Sequence, residues 1–180
     1  SLSNEFASNV IIKQGTHVVD LYFFIKRNKL IDNLNQLKIL STYLRKKNKK
    51  IVFTTGCFDI LHRGHIKSLK KAKEKGDVLV VALNSDKSIK KNKGVNRPIQ
   101  KLNSRLSILM ELLCVDFIII FDKKIPTSIH DILNPNLFVK GGDYSYKDIL
   151  KIYPKINEFF NVELEEDFST TNIIKKIKNL

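Results

Sequence analysis

Val78-Leu79-Val80-Val81-Ala82-Leu83 is an unbroken apolar run, and a run this short suits a strand covered on both faces, as in a parallel sheet. The β-branched stretch Ile51-Val52-Phe53-Thr54-Thr55 precedes it and ends at Gly56. Between the two lies a helical pattern over residues 64–75, closed by Gly76-Asp77. The three segments read as one strand-helix-strand unit.

The same alternation continues. A helix over residues 103–113 leads to Phe117-Ile118-Ile119-Ile120-Phe121, and a helix over 127–133 leads to Leu137-Phe138-Val139. A last strand over 161–164 precedes a terminal helix capped by Ser169 and running through Ile177. Upstream, Asp32 is expected to cap a helix over residues 32–47, where Leu34, Leu37, Leu40 and Leu44 recur at helical spacing. The pattern predicts an α/β fold, a Rossmann-like, doubly wound parallel sheet forming a single domain over residues 32–180. Residues 1–31 fit that domain poorly, because the apolar segment from Val10 to Thr16 has no periodic partner.

In open parallel sheets ligands bind beyond the carboxyl ends of the strands. The residues expected there are Gly56-Cys57-Phe58-Asp59, Asn84-Ser85-Asp86, Asp122-Lys123-Lys124, Lys140-Gly141-Gly142-Asp143 and the stretch from Asp167 to Thr171. Nearly all are polar and suited to phosphate.

The net charge of +14 allows a polyanionic partner. Its lysines, however, are spread along the whole chain and not gathered in one patch, so nucleic-acid binding is not expected. No apolar run reaches the roughly 20 residues that span a bilayer. The expectation is a soluble cytoplasmic protein with no membrane partner, and a homo-oligomer is compatible with it. Cys57 and Cys114 are too few for a disulfide framework and are not spaced as a metal knuckle.

Leu61-His62-Arg63-Gly64-His65 falls where the first strand of the unit hands over to its helix. A helix N-terminus presents unpaired N–H groups and attracts phosphate. Two imidazoles three residues apart share a helical face and can donate to one phosphate chain. Gly64 leaves room for close approach. A zinc pair is the alternative, yet no third ligand of suitable type lies nearby, and no metal site is assigned.

The run Gly56-Cys57-Phe58-Asp59-Ile60-Leu61-His62-Arg63-Gly64-His65 resembles the signature of the HxGH nucleotidyltransferases, whose cytidylyltransferase-like branch shares the Gly-x-Phe-Asp lead-in. Ser169-Thr170-Thr171 resembles the second signature of that branch. Asn84-Ser85-Asp86, residues 88–94, Arg97-Pro98, Val139-Lys140-Gly141-Gly142-Asp143-Tyr144 and the ending through Ile174 are most similar to its ADP-heptose-forming adenylyltransferases. The resemblance covers residues 32–180, and residues 9–19 resemble the last strand of a preceding ribokinase-like kinase domain. Asp167-Phe168 departs from the family, which has a Gly followed by an aromatic residue, and Leu150-Lys151 replaces a Val-Gly pair.

The resemblance implies transfer of adenylyl from ATP to a sugar 1-phosphate, D-glycero-β-D-manno-heptose 1-phosphate, with Mg²⁺ carried by the ATP. It implies catalytic roles for His62, His65, Lys93 and Arg105, with Arg105 neutralising the triphosphate. Gly56, Phe58, Gly64, Lys140, Gly142, Asp143, Ser169, Thr170 and Thr171 would bind nucleotide. Asp59, Asn84, Asp86, Lys90 and Arg97 would bind the acceptor or order the loops around it. Arg105 reads equally as a helix surface residue, and Cys57 as a small buried filler. The competing functions are a glycerol-3-phosphate-type cytidylyltransferase and a degenerate nucleotide- or polyanion-binding module, the latter suggested by Asp167.

Overall fold

The computed structural model describes residues 17–142, 144–163 and 169–179. Its elements run α1 (His17–Asn28), β1 (Leu30–Ile31), α2 (Leu34–Lys46), β2 (Ile51–Gly56), α3 (Arg63–Lys73), β3 (Val78–Asn84) and α4 (Asp86–Lys93). They continue with α5 (Leu102–Glu111), β4 (Phe117–Phe121), α6 (Thr127–Leu133), β5 (Leu137–Gly141), α7 (Tyr146–Ile152), β6 (Phe159–Val162) and α8 (Thr170–Lys178). The strands form one sheet in the order β1-β4-β3-β2-β5-β6, parallel at every pairing. From β2 the chain winds outward through β3 to β4, then returns to lay β5 on the other side of β2. That reversal makes the crevice above β2 and β5 the place for a ligand.

Strand side chains alternate between the two faces, and the apolar runs fill both. Phe53, Val80, Ala82, Phe117, Ile119 and Phe138 pack on one face with Ile25 of α1, Leu37, Leu40 and Leu44 of α2, Ile129 and Leu133 of α6, and Ile149 of α7. Val52, Leu79, Val81, Leu83, Ile118 and Val139 pack on the opposite face with Leu69 and Ala72 of α3 and Leu109 of α5. The histidine-bearing helix therefore lies on the second face, and α6 and α7 lie on the first.

Several sequence expectations change. Asn33, not Asp32, caps α2: its side chain accepts from the Asn35 and Gln36 amides, each at 3.0 Å. Asp32 instead accepts from the Gln36 side chain at 3.1 Å. Leu34 is exposed, while Leu37, Leu40 and Leu44 are buried. The last strand ends at Val162, not at 164. The sheet also begins ahead of residue 32, because Leu30 and Ile31 pair with Ile118 and Ile119 and Ile25 is buried in the core. Residues 17–19, within the segment expected to be a strand, open α1, and residues 9–16 lie outside the described residues.

At the amino ends of β2 and β3 the chain closes tightly. The Asp77 side chain accepts from the Lys50 amide at 2.7 Å, and the Asp77 amide donates to the Lys50 carbonyl at 2.9 Å. A Cβ on Gly76 would stand 2.6 Å from Val52 Cγ2 and 2.8 Å from the Lys50 carbonyl oxygen. Gly76→Ala should therefore lower stability by about 1–3 kcal/mol, as overpacking does, measured by urea denaturation; an unchanged midpoint would mean that the turn relaxes freely.

Candidate nucleotide site

A cleft of about 480 Å³ opens over the carboxyl ends of β2, β3 and β5. Gly56, Phe58, Asp59, His62, Gly64, His65, Asn84, Lys93, Arg97, Lys140 and Thr170 all line it. Both motifs thus meet at one place although 107 positions separate His62 from Ser169, the start of the second (169 − 62).

The β2–α3 loop is held in an unusual backbone shape. Phe58 and Ile60 sit at φ 48° and 53°, a left-handed region that bulky and β-branched residues avoid and that costs on the order of 1–3 kcal/mol each. The Phe58 ring lies so close to Gly56 that a Cβ there would be 2.7 Å from it. Surrounding bonds must impose this shape. Asp59, buried between the two, accepts from Arg97 Nε at 2.7 Å, the Ile99 amide at 2.9 Å and the Gln100 amide at 2.8 Å. The Arg97 Nη2 lies 2.7 Å from the same carboxylate. Its backbone carbonyl accepts from the Thr170 hydroxyl at 2.7 Å, joining the first motif to the second.

His62 is the residue before α3 and His65 stands one turn inside it, with their rings stacked 3.8 Å apart. His65 Nδ1 accepts a long hydrogen bond, 3.4 Å, from the His62 amide. A neutral ring bonded that way carries its proton on Nε2 and can donate it to a ligand. His62 Nδ1 is buried and has no hydrogen-bond partner among the described residues. Burial lowers the pKa of both residues; for His65 it reaches about 4, with the charges of His62 and Lys93 also lowering it and Asp59 opposing. Two neutral donors therefore stand at a helix N-terminus, ready to gain charge beside an anion.

Arg105 does not face the cleft. Its side chain is fully buried, with Nε on the Gln100 carbonyl at 3.0 Å, Nη1 on the Cys57 and Asn84 carbonyls at 2.7 and 2.8 Å, and Nη2 on Asp86 at 2.7 Å. The role read for it at the triphosphate is replaced by another: it clamps the ends of β2 and β3. Asp86 is accordingly engaged with Arg105. Asn84 donates to Ser88 Oγ at 2.9 Å. Lys90 is exposed on α4 and does not line the cleft, whereas Lys93 does. Ser169 caps α8, accepting from the Asn172 amide at 3.0 Å; it and exposed Thr171 flank Thr170 without lining the cleft. Gly142 is buried, with its amide on the Val162 carbonyl at 3.3 Å. Asp143 and Asp167 lie outside the described residues. Cys57 is half-buried on the cleft wall.

Thr55 and Tyr153 also line the cleft without having been singled out in the sequence, as do Lys124 and Tyr144, which were placed near it but given no role. Thr55 was hidden inside a strand and Tyr153 follows a helix that had not been read. Lys124 carried the available signal, its place just after a strand. Asp59 is the sole acid among the described residues that line the cleft, and Arg97 pairs with it.

Residues 53–176 match the cytidylyltransferase-like family. The chain belongs to that family and is a nucleotidyltransferase. It is 44% identical over 182 residues to the bifunctional protein HldE of Campylobacter jejuni subsp. jejuni, a match covering 99% of this chain and 39% of that protein. To the bifunctional protein HldE of Helicobacter pylori it is 41% identical, covering 98% of this chain and 38% of that protein. The chain thus spans about two fifths of the length of these curated relatives. Among solved structures, the lipopolysaccharide core biosynthesis protein from Thermoplasma volcanium superposes with a TM-score of 0.58 at 30% identity, covering 66% of this chain and 99% of that one.

Removing the Asp59 carboxylate would strand the Arg97 charge and two loop amides. Asp59→Ala should cost about 3–5 kcal/mol, as breaking a buried pair does. Chemical denaturation checks it, and a loss under 1 kcal/mol would show that the loop holds its shape without this carboxylate.

Proposed function

We propose that the chain transfers adenylyl from ATP to D-glycero-β-D-manno-heptose 1-phosphate, giving ADP-heptose and pyrophosphate. The observation that carries the reading is the stacked His62–His65 pair at the α3 N-terminus, with a buried nitrogen that no group among the described residues satisfies. Likeness to the HldE proteins supports the choice of acceptor, and the solved relative's part in lipopolysaccharide core biosynthesis agrees with it.

The chemistry follows from charge. An oxygen of the acceptor phosphate attacks the α-phosphorus of ATP; the new P–O bond forms as the bond to the bridging oxygen breaks, and pyrophosphate leaves with that electron pair. A phosphate monoester with a second pKa of roughly 6 is already largely ionised near neutral pH and needs no general base. Catalysis rests on bringing two anions together and neutralising the charge that builds on the leaving group. His62 and His65 donate to the phosphates, Lys93 lies between the two substrates, and the first turn of α8 receives the outer phosphates through its amides. Thr170 uses its hydroxyl internally, on Asp59. Lys90 adds positive potential from outside the cleft.

Mg²⁺ would arrive on the triphosphate and neutralise part of its charge. The carboxylates described near the cleft fit that arrangement, since Asp59 and Asp86 are both committed to arginines. Among the described residues no cluster of His, Cys, Asp and Glu is arranged to hold an ion of its own. Asp143 is proposed to read the nucleotide, with Gly142 shaping its loop. The proposed setting is the cytoplasm; among the described residues no helix is long and apolar enough to cross a membrane. The tail of a preceding ribokinase-like domain, read over residues 1–31, is proposed only for the part ahead of α1, since Ile25 and Leu30–Ile31 belong to this sheet and its core; the bifunctional relatives support that reading.

Incubation with each of the four nucleoside triphosphates, Mg²⁺ and heptose 1-phosphate should release pyrophosphate fastest with ATP, and glycerol 3-phosphate should substitute poorly. Hydrogen bonds to a base edge or sugar hydroxyl discriminate strongly, because the wrong partner leaves buried polar groups unpaired. Faster reaction with CTP and glycerol 3-phosphate would overturn the assignment. In the same assay His65→Ala should lower kcat by roughly 10²–10³ with a smaller effect on ATP binding; near-normal turnover with only a raised KM would remove His65 from the transition state.

A further inference from the structure

The cleft is lined from both faces of the sheet, and the two linings are here its first-face and second-face lobes. The histidines belong to the second face with α3. Along β2 and β5, Phe53 and Phe138 point to the first face, so the pleat sends Thr55 and Lys140, each two residues further on, to that face as well. The Lys140 ammonium donates to Thr55 Oγ1 at 2.9 Å. Tyr153, at the end of α7, is buried beside Thr55. Ile125 and Pro126, leading into α6, floor the same lobe, and Lys124 stands beside them.

We infer that this first-face lobe is the acceptor subsite and that Lys140 is its phosphate-binding cation, a role on the acceptor side of the reaction proposed above and not on the nucleotide. Lys140 is half-buried on the cleft wall, and burial lowers its pKa. Among the described residues no carboxylate pairs with it; its hydrogen bond goes to a neutral hydroxyl. Such a cation gains most from an incoming anion. Thr55 positions it, for a hydroxyl that accepts from Lys140 fixes the lysine's direction across the strand ends, with buried Tyr153 packed beside that hydroxyl. The chemistry recognised is a phosphate carried on a polyhydroxyl body, with the apolar floor packing beneath the carbon skeleton.

The test uses the whole chain with a non-hydrolysable ATP analogue and Mg²⁺ in place, and titrates heptose 1-phosphate by calorimetry and inorganic phosphate by ³¹P NMR. Lys140→Met, which keeps length and apolar contact, should weaken binding of both acceptor probes by about 10- to 100-fold, the loss expected for a hydrogen bond from a charged donor. Binding of the ATP analogue alone should change less than about twofold. Tyr153→Phe should give a smaller acceptor loss and likewise spare the nucleotide. Unchanged acceptor binding in Lys140→Met, or a loss as large for the ATP analogue, would overturn the assignment. If heptose 1-phosphate fails to bind the wild-type chain while phosphate binds and is lost in Lys140→Met, the sugar reading falls and the subsite stands. Circular dichroism checks that Lys140→Met is folded; if it is not, Lys140→Arg decides: retained phosphate binding supports a cation role, and its loss counts against it.

Discussion

The Asp59 carboxylate accepts from Arg97 and from two amides of the loop that follows α4, while its backbone carbonyl accepts from Thr170. One buried residue therefore ties the β2–α3 loop to a loop about 40 residues downstream and to the last helix. Phe58 and Ile60, on either side of it, hold left-handed backbone angles that neither would choose alone. The strain is retained because those bonds over-determine the loop, and the loop in turn aims the first turn of α3, with its two imidazoles, into the cleft. Arg105 completes the frame from below by holding the Cys57 and Asn84 carbonyls at the ends of β2 and β3.

This division of labour accounts for the chemistry left exposed. The carboxylates near the reacting groups are occupied by arginines, so the cleft presents neutral histidines and cations to two anionic substrates. Lys93 lowers the pKa of both His65 and Lys140, which places one lysine in electrical contact with each lobe. An anion entering either lobe relieves repulsion that the empty cleft stores.

Much of this was legible in the sequence because parallel strands buried on both faces leave continuous apolar runs, as in β3 and β4. The two motifs announced themselves by residue type and by position after strands. What stayed hidden has physical reasons. Leu30–Ile31 is a two-residue edge strand, too short for any periodicity, and α7 buries Ile149 alone among its 7 residues, so it carries no apolar stripe. Arg105 shows nothing in sequence to separate a buried clamp from a phosphate ligand, since both need the same guanidinium; only its carbonyl partners decide. Lys140 was read with its neighbours as one motif, and the sequence alone does not display that the pleat turns it to the face opposite Val139 and Gly141.

The central claim is that nucleotide phosphates bind at the paired histidines. In the free protein His65 is neutral, its pKa lowered from the ordinary 6.5 to about 4 by burial and neighbouring charge. A bound triphosphate favours the imidazolium, so the pKa must rise and binding must take up protons as pH falls toward the free value. Nitrogen-detected NMR titration of His65, with and without a non-hydrolysable ATP analogue and Mg²⁺, reads this directly. The account predicts a pKa near 4 in the free chain and an upward displacement of about a unit or more with the analogue bound, as an opposite charge at this range produces. A bound analogue that left the His65 titration where it was would contradict it.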